Sequence, residues 1–309
     1  MMQAMPMPMK PSFDFKDALE ADIETIQILD VGAMLENEAC YARLLGQGLA
    51  EVVGFEPNPE ELARLRQQGA ANSTWLPYFL GDGREATFYL TRYPGCSSLY
   101  TPDPAMIDLF HSIGAGVPEG NFYVVNTETV QTKRLDDVEE CPPVDFVKID
   151  VQGSELDILR NGVETLGNAT VIQTEVEFVP LYKDQPLFGD IQVFLRDQGF
   201  HLHKFIDIAG RCFRPSHMGD NPYAAMSQAL WADAIFVRDV TRLDGFSDTQ
   251  LLKTAAILHE VYLSTDLVLF LLNELDRRNG EGLAGRYIGA LQRSPSDQRL
   301  YMNLKEYID

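Results

Sequence analysis

An apolar run that closes on Asp-x-Gly, Ile28-Leu-Asp-Val-Gly-Ala33, is followed 22 residues beyond Gly32 by Gly54-Phe-Glu-Pro-Asn-Pro59, the end of a second short apolar run that starts at Glu51. A strand, a tight turn, a helix-length gap and a second strand closed by an acid make up a nucleotide-binding βαβ unit. No other feature narrows the fold as far. A right-handed crossover between parallel strands puts both the turn and the acid at the strands' carboxyl ends, where α/β sheets bind ligands. There the carboxylate of Glu56 offers two acceptors, which match the two hydroxyls of a ribose.

The turn is poor in glycine. A dinucleotide fingerprint uses three glycines so that backbone N–H groups can crowd a pyrophosphate at a helix N-terminus. This turn reads Gly32-Ala-Met-Leu-Glu-Asn-Glu38, with Glu36 and Glu38 where phosphates would lie. A ligand with an adenosine, no phosphate and a positive charge suits it better, and S-adenosylmethionine is the common one.

Further apolar runs recur with helical patterns between them, at 26–31, 52–55, 74–80, 146–151, 171–176, 200–205 and 234–237. Five strands alternating with helices, then two strands close together, predict a seven-stranded, mainly parallel α/β sheet with an antiparallel edge. Residues 1–24, with Pro6, Pro8 and Pro11, read as a lead-in with a frayed tail and a short helix over Asp14–Glu24. Residues 25–240 read as the main domain and 241–309 as a helical extension. Residues 83–120 break the rhythm with a strand at Ala86–Thr91, a turn-rich stretch and a helix near Ala105–Ile113. Such an insertion is a natural wall for an acceptor site. In the extension, Lys253, His259, Glu260 and Asp266 interrupt the apolar run from Thr249 to Arg278, and its unbroken core, Leu267–Leu272, is six residues, too short for a membrane span. One or two helices are expected there, packing on the domain or on a second subunit, which would make a homo-oligomer.

Composition removes other classes. The chain carries 46 acids against 25 bases, a formal charge of −21, whereas nucleic-acid binding needs clustered Lys and Arg. Cys40, Cys96, Cys141 and Cys212 lie far apart with no Cys-x-x-Cys pair, so neither a zinc knuckle nor a disulfide framework is indicated. The first ten residues lack the basic-then-apolar order of a secretory signal. Free thiols in a reducing cytoplasm are the expectation.

A second informative block runs from Val144 to Arg160. Its buried strand delivers Lys148, Asp150 and Gln152 to the carboxyl end, and a helix starts at Gly153-Ser154 with Leu156, Leu159, Val163 and Leu166 on its apolar face. Glu155 sits in the first turn, favourable against the helix dipole. Together with Leu29-Asp-Val-Gly-Ala33, Gly54-Phe-Glu-Pro57, Ser97-Ser-Leu99, Thr132-Lys-Arg-Leu-Asp-Asp137, Thr174-Glu-Val-Glu-Phe178 and Gly199-Phe200, this block makes the chain resemble the FkbM-type methyltransferases over roughly residues 25–238. The resemblance implies a Rossmann-like class I methyltransferase fold, S-adenosylmethionine as cofactor, and O-methylation of a hydroxyl on a small molecule or glycan precursor. It implies Asp30 and Gly32 at the methionine end, Glu56 at the ribose and Asp82 in Leu80-Gly-Asp-Gly83 at the adenine, with Ala33, Pro57 and Ser98 completing the cofactor set. The family commonly has Asn and then Gly where Met34 and Glu36 stand, and Glu where Gln152 stands, which leaves one negative charge fewer beside Asp150.

Transfer from a sulfonium needs alignment more than acid, because the leaving group is already cationic. Holding a hydroxyl against the methyl can supply roughly 7–11 kcal/mol, and a base adds about 10²–10⁴-fold. The candidate catalytic residues are Asp150, Glu175 and His203, with Glu177 and His201 beside them. The two histidines alternate on one strand and share a face. Asp150, Glu175 and Glu177 are also of the oxygen-rich kind that holds divalent ions, but acids placed for solvation or capping are the plainer account, and no metal site is assigned. Asp136 and Asp137 read as the N-terminal cap of a short helix. Two rival readings stay open: a non-catalytic scaffold working through its C-terminal helices, and a nucleotide-sugar or NAD-linked enzyme on a similar sheet.

Overall fold

The computed structural model describes residues 11–33, 38–68 and 72–293. The expected frayed tail and the departures at Met34 and Glu36 lie outside those residues. In chain order the elements are α1 (Phe15–Leu19), β1 (Ile26–Val31), α2 (Ala42–Gly46), β2 (Ala50–Phe55), α3 (Pro59–Gln68), β3 (Ser73–Leu76), β4 (Phe79–Leu80), β5 (Glu85–Thr91), α4 (Pro104–Ile107) and β6 (Val124–Lys133). They continue with β7 (Phe146–Ile149), α5 (Glu155–Arg160), β8 (Val171–Glu177), α6 (Phe188–Asp197), β9 (Phe200–Gly210), β10 (Ala229–Arg238), α7 (Asp248–Glu260), α8 (Thr265–Asn279) and α9 (Leu283–Arg293).

Seven strands form one sheet in the order β3-β2-β1-β7-β8-β10-β9. Strands β1, β7 and β8 pair in parallel, as do β2 and β3, while β10 runs against both β8 and β9 at one edge. This is the expected seven-stranded, mainly parallel Rossmann-like arrangement, and the apolar runs foretold the places of its strands except over 74–80. Strands β1 and β7 are covered on both faces, which is why they read as nearly continuous apolar runs.

The two faces part company at the carboxyl ends. On one, Leu29, Val31, Val147, Ile149, Ile172 and Val176 pack with Leu156 and Leu159 of α5 and Ile191 and Leu195 of α6. On the other, Asp30, Lys148 and Gln173 are neighbours in register, and Glu175 faces Asp233 one step further along. Alternation of side chains therefore separates a dry face from a polar row at the ligand end.

The chain leaves β1 at Gly32 with φ +81°, and a Cβ there would lie 1.8 Å from the carbonyl oxygen of Asp150. Gly32→Ala is thus expected to cost about 3 kcal/mol or more, read as a fall in Tm of roughly 6–12 °C. An unchanged Tm would contradict this crossing of the two strand ends.

Several elements differ from expectation for identifiable reasons. The strand expected at 74–80 is broken by Pro77, which cannot donate to a ladder, so β4 joins a separate sheet of order β4-β6-β5. Strand β6 had no apolar run to announce it, since residues 125–129 are exposed. The helix near Ala105–Ile113 shrinks to α4, capped by Asp103, which accepts from the Ala105 N–H at 3.1 Å. The carboxylate of Asp108 then takes the N–H groups of Ala115 and Gly116. The helix expected at Asp14–Glu24 stops at Leu19, where Glu20 turns left-handed at φ +50°. Asp136 and Asp137 lie inside a 3₁₀ turn, Leu135–Asp137, and do not cap it. Asp136 instead accepts from the Thr165 N–H and hydroxyl.

The chain divides into two compact units. The described part of the first falls in Gln27–Asn37 and Val52–Asp239, and that of the second in Pro6–Ile26, Glu38–Glu51 and Val240–Asp309. The apolar run Thr249–Arg278 becomes α7 and α8, parted at Leu263 with φ +49°. Two of its polar interruptions, His259 and Glu260, are partnered within the second unit. Glu260 accepts from the Phe15 N–H at 2.7 Å and from Arg43 Nε at 2.8 Å, and the His259 ring lies between the Tyr287 hydroxyl and the Phe13 carbonyl. Among the described residues no helix is long and apolar enough to cross a membrane.

Candidate active site

At the tips of β1 and β2 two buried carboxylates approach each other. Asp30 has its Oδ1 3.4 Å from Lys148 Nζ. The backbone N–H of Glu56 donates to Leu76 O, and its Oε1 accepts from the Asn58 N–H at 2.7 Å. Burial pushes the Glu56 carboxyl up to about 7; the Asn58 bond works against the rise, and the charges of Glu61 and Asp30 add to it. Ala33 is buried at the turn and Pro57 half-buried beside Glu56. A lysine already matched to Asp30 and two acids make a poor cradle for a pyrophosphate. They fit S-adenosylmethionine, whose ammonium and sulfonium are cationic and whose ribose donates.

The remaining cofactor candidates are placed differently. Asp82 is exposed and anchors its own turn, accepting from the Arg84 N–H at 3.0 Å. Ser98 is buried, with its hydroxyl donating to Gln152 O at 2.6 Å and accepting from the Tyr100 N–H at 2.9 Å. Its hydroxyl proton is thereby committed to tying the insertion to the loop after β7. Ser97 likewise serves its own turn, accepting from the Thr91 N–H.

That loop is the centre of the site. Gln152 adopts the left-handed region at φ +60°, where a non-glycine residue stands only if its surroundings hold it. Glu155 supplies part of that hold by folding back, so that its carboxylate accepts from the Val151 N–H at 2.9 Å and the Gly153 N–H at 3.0 Å. Burial nevertheless lifts the Glu155 carboxyl to about 7.

The side chain of Gln152 joins three elements. Its amide nitrogen donates to Asp150 Oδ1 at 3.1 Å and to Glu175 Oε2 at 2.6 Å, and its amide oxygen lies 3.2 Å from the Tyr182 hydroxyl. The same hydroxyl reaches Cys96 O at 2.9 Å. Glu175 and Glu177 are both held well above the ordinary carboxylate range, first by burial and then by neighbouring acids, since adjacent carboxyls resist ionising together. Asp233 accepts from Gln173 Nε2 at 2.9 Å and is raised by burial to about 6.

The structure thus brings Asp150 and Glu175 together and leaves His203 apart. Lys204 and Leu202, which flank His203, pair with Ile235 and Phe236, whereas Asp233 in the Glu175 row pairs with Ile206. His203 therefore lies toward the amino end of the sheet, with His201 further back, 3.8 Å from Asp239. Among the described residues no three His, Cys, Asp or Glu side chains gather as a metal-ligand set. Sequence reasoning missed Gln152 as the link, although it stood out as a departure from a family pattern. It also missed Tyr182 and Asp233, which no motif marked.

A family described as "Methyltransferase FkbM domain" matches residues 30–202. The hexuronic acid methyltransferase AglP of Haloferax volcanii is 26% identical over 190 residues, covering 59% of this chain and 72% of that protein. Among solved structures, magnesium protoporphyrin IX methyltransferase from Synechocystis is similar over 73% of this chain and 78% of its own, at 12% identity and a TM-score of 0.35. A precorrin-6y methyltransferase from Geobacter metallireducens is similar over 72% and 85%, at 15% identity and a TM-score of 0.33.

Proposed function

Because the chain belongs to the FkbM family of S-adenosylmethionine-dependent methyltransferases, we propose that it transfers the methyl group to a hydroxyl oxygen of a small molecule or glycan precursor. When bound, the cofactor supplies an electrophilic methyl on a sulfonium that departs as a neutral thioether. On the protein's side, Asp30 faces the cofactor's cationic end and Glu56 takes the ribose hydroxyls. Gln152 fixes Asp150 and Glu175 relative to each other, and Glu175 accepts the hydroxyl proton as the oxygen–carbon bond forms. A base with raised proton affinity suits that step.

The observation that carries this reading is the Asp150–Glu175 pair clamped by the Gln152 amide at the carboxyl ends of β7 and β8. A sugar acceptor is favoured by the likeness to AglP, which its name assigns to hexuronic acid. The test is incubation with methyl-labelled cofactor and a panel of sugars and sugar nucleotides. Label is expected in a base-stable ether. Label found only in base-labile esters, or cofactor binding with no hydroxyl labelled, would overturn it.

A further inference from the structure

Beyond the acid row, Arg211 is a desolvated cation that pairs with no acid among the described residues. Arg211 directly follows β9. Its guanidinium lies 5.0 Å from the ring centroid of Trp231 and 5.4 Å from that of Tyr223, and its Nη1 donates to Gly210 O at 2.7 Å. Its Nε is buried and meets no acceptor among the described residues. Arg43 is matched with Asp14 and Glu260 and Arg278 with Asp248 and Glu274. Arg238, which burial also perturbs, has its guanidinium taken by the carbonyls of Ala169 and Gly167, whereas Arg211 keeps a buried nitrogen without an acceptor among the described residues. A guanidinium taken from water without a carboxylate is costly, and burial indeed lowers its proton affinity.

The strand register sets its location. Trp231 pairs with Glu177 on one side and Ala209 on the other, and Asp233 with Glu175. Trp231 therefore shares the polar face of the sheet with Glu175, Glu177 and Asp233, and the stacked guanidinium lies at that face's ligand end. Trp231 also packs against the cluster of Phe110, Phe122 and Tyr182, whose tyrosine reaches Gln152. A second buried nitrogen without a hydrogen-bond partner among the described residues is Nε2 of His111, whose backbone N–H donates at 3.0 Å to the carbonyl of Cys212, the residue after Arg211.

We propose that Arg211 binds an oxyanion of the methyl acceptor, a carboxylate or phosphate set apart from the reacting hydroxyl, so that the acceptor is an acidic sugar or a sugar phosphate. The planar fork of a guanidinium pairs with either group in two parallel hydrogen bonds, and its stacking on two rings holds that fork in place. This rests on the methyl-transfer reading above.

The test is calorimetric titration of the full chain, saturated with S-adenosylhomocysteine, with D-glucuronate, glucose 1-phosphate and glucose. At least one anionic sugar is expected to bind about tenfold or more tightly than glucose. Arg211→Met should abolish that preference, and Arg211→Lys should restore part of it, while both variants keep the wild-type affinity for S-adenosylhomocysteine, which shows them folded. Preference for glucuronate alone identifies a carboxylate, and for glucose 1-phosphate alone a phosphate. Absence of preference in the wild type, or preference surviving in Arg211→Met, overturns the role of Arg211. Failure of the wild type to bind S-adenosylhomocysteine overturns the methyl-transfer reading instead.

Discussion

Glu175→Gln is expected to lower kcat by about 10²–10⁴-fold and to leave cofactor affinity unchanged. The substitution is gentle on structure, because a glutamine carbonyl can still accept the Gln152 N–H that Glu175 takes at 2.6 Å. It also resembles the protonated acid that burial and the charges of Asp150 and Glu177 favour. What it removes is the capacity to take a proton. A base must be ionised to act, so wild-type kcat should rise with pH along a limb displaced above the ordinary glutamate range, and the pair should titrate as a unit. The variant should lose that limb. Stopped-time assays across pH decide the matter, and a variant with wild-type kcat would remove Glu175 from the chemistry.

Glu56→Ala is expected to weaken the cofactor by about a hundredfold or more, since each hydrogen bond to a charged group is worth roughly 1.5–3 kcal/mol. Folding should suffer far less. The lost bond from the Asn58 N–H is offset by relief from burying a carboxyl that is already raised to about 7. The sign of the pH dependence follows. If the ribose needs the ionised form, binding releases a proton below about pH 7, and wild-type affinity should fall about tenfold per unit as pH drops below that value. Without ligand the same group works the other way. Its raised value favours the folded state most when both states are protonated, below about 4.5, and that advantage is lost as pH rises to about 7. Titration calorimetry and melting curves on both proteins separate the two effects. Equal losses of melting temperature and binding would contradict an acid aimed at ligand.

Much of this was legible because parallel strands bury both faces and so announce themselves as apolar runs. The Asp-x-Gly turn and the acid at position 56 were readable for a related reason, since a close approach of two backbones admits only glycine at Gly32. Strand β6 was hidden because its exposed residues carry no apolar pattern. The link through Gln152 was hidden because its partners, Glu175 and Tyr182, come from later elements, and local spacing says nothing about which loops meet. His203 was drawn in by alternation alone. Alternation fixes a face, while the register of β9 against β10 fixes the height along it.

The second unit has a consequence for the order in which the molecule comes into being. The Phe15 amide finds its acceptor on Glu260, 245 residues later, and Arg43 waits for the same carboxylate. A nascent chain leaving the ribosome therefore has the Phe15 amide and Arg43 without the Glu260 carboxylate, and α1 without its packing against α7 and α9, until the helices after Val240 have been made. Long-range closure of this kind is slow and leaves apolar surface bare in the meantime. Residues before Ile26 complete their packing only once the helices beyond Val240 exist, and a stop in translation short of those helices strands them.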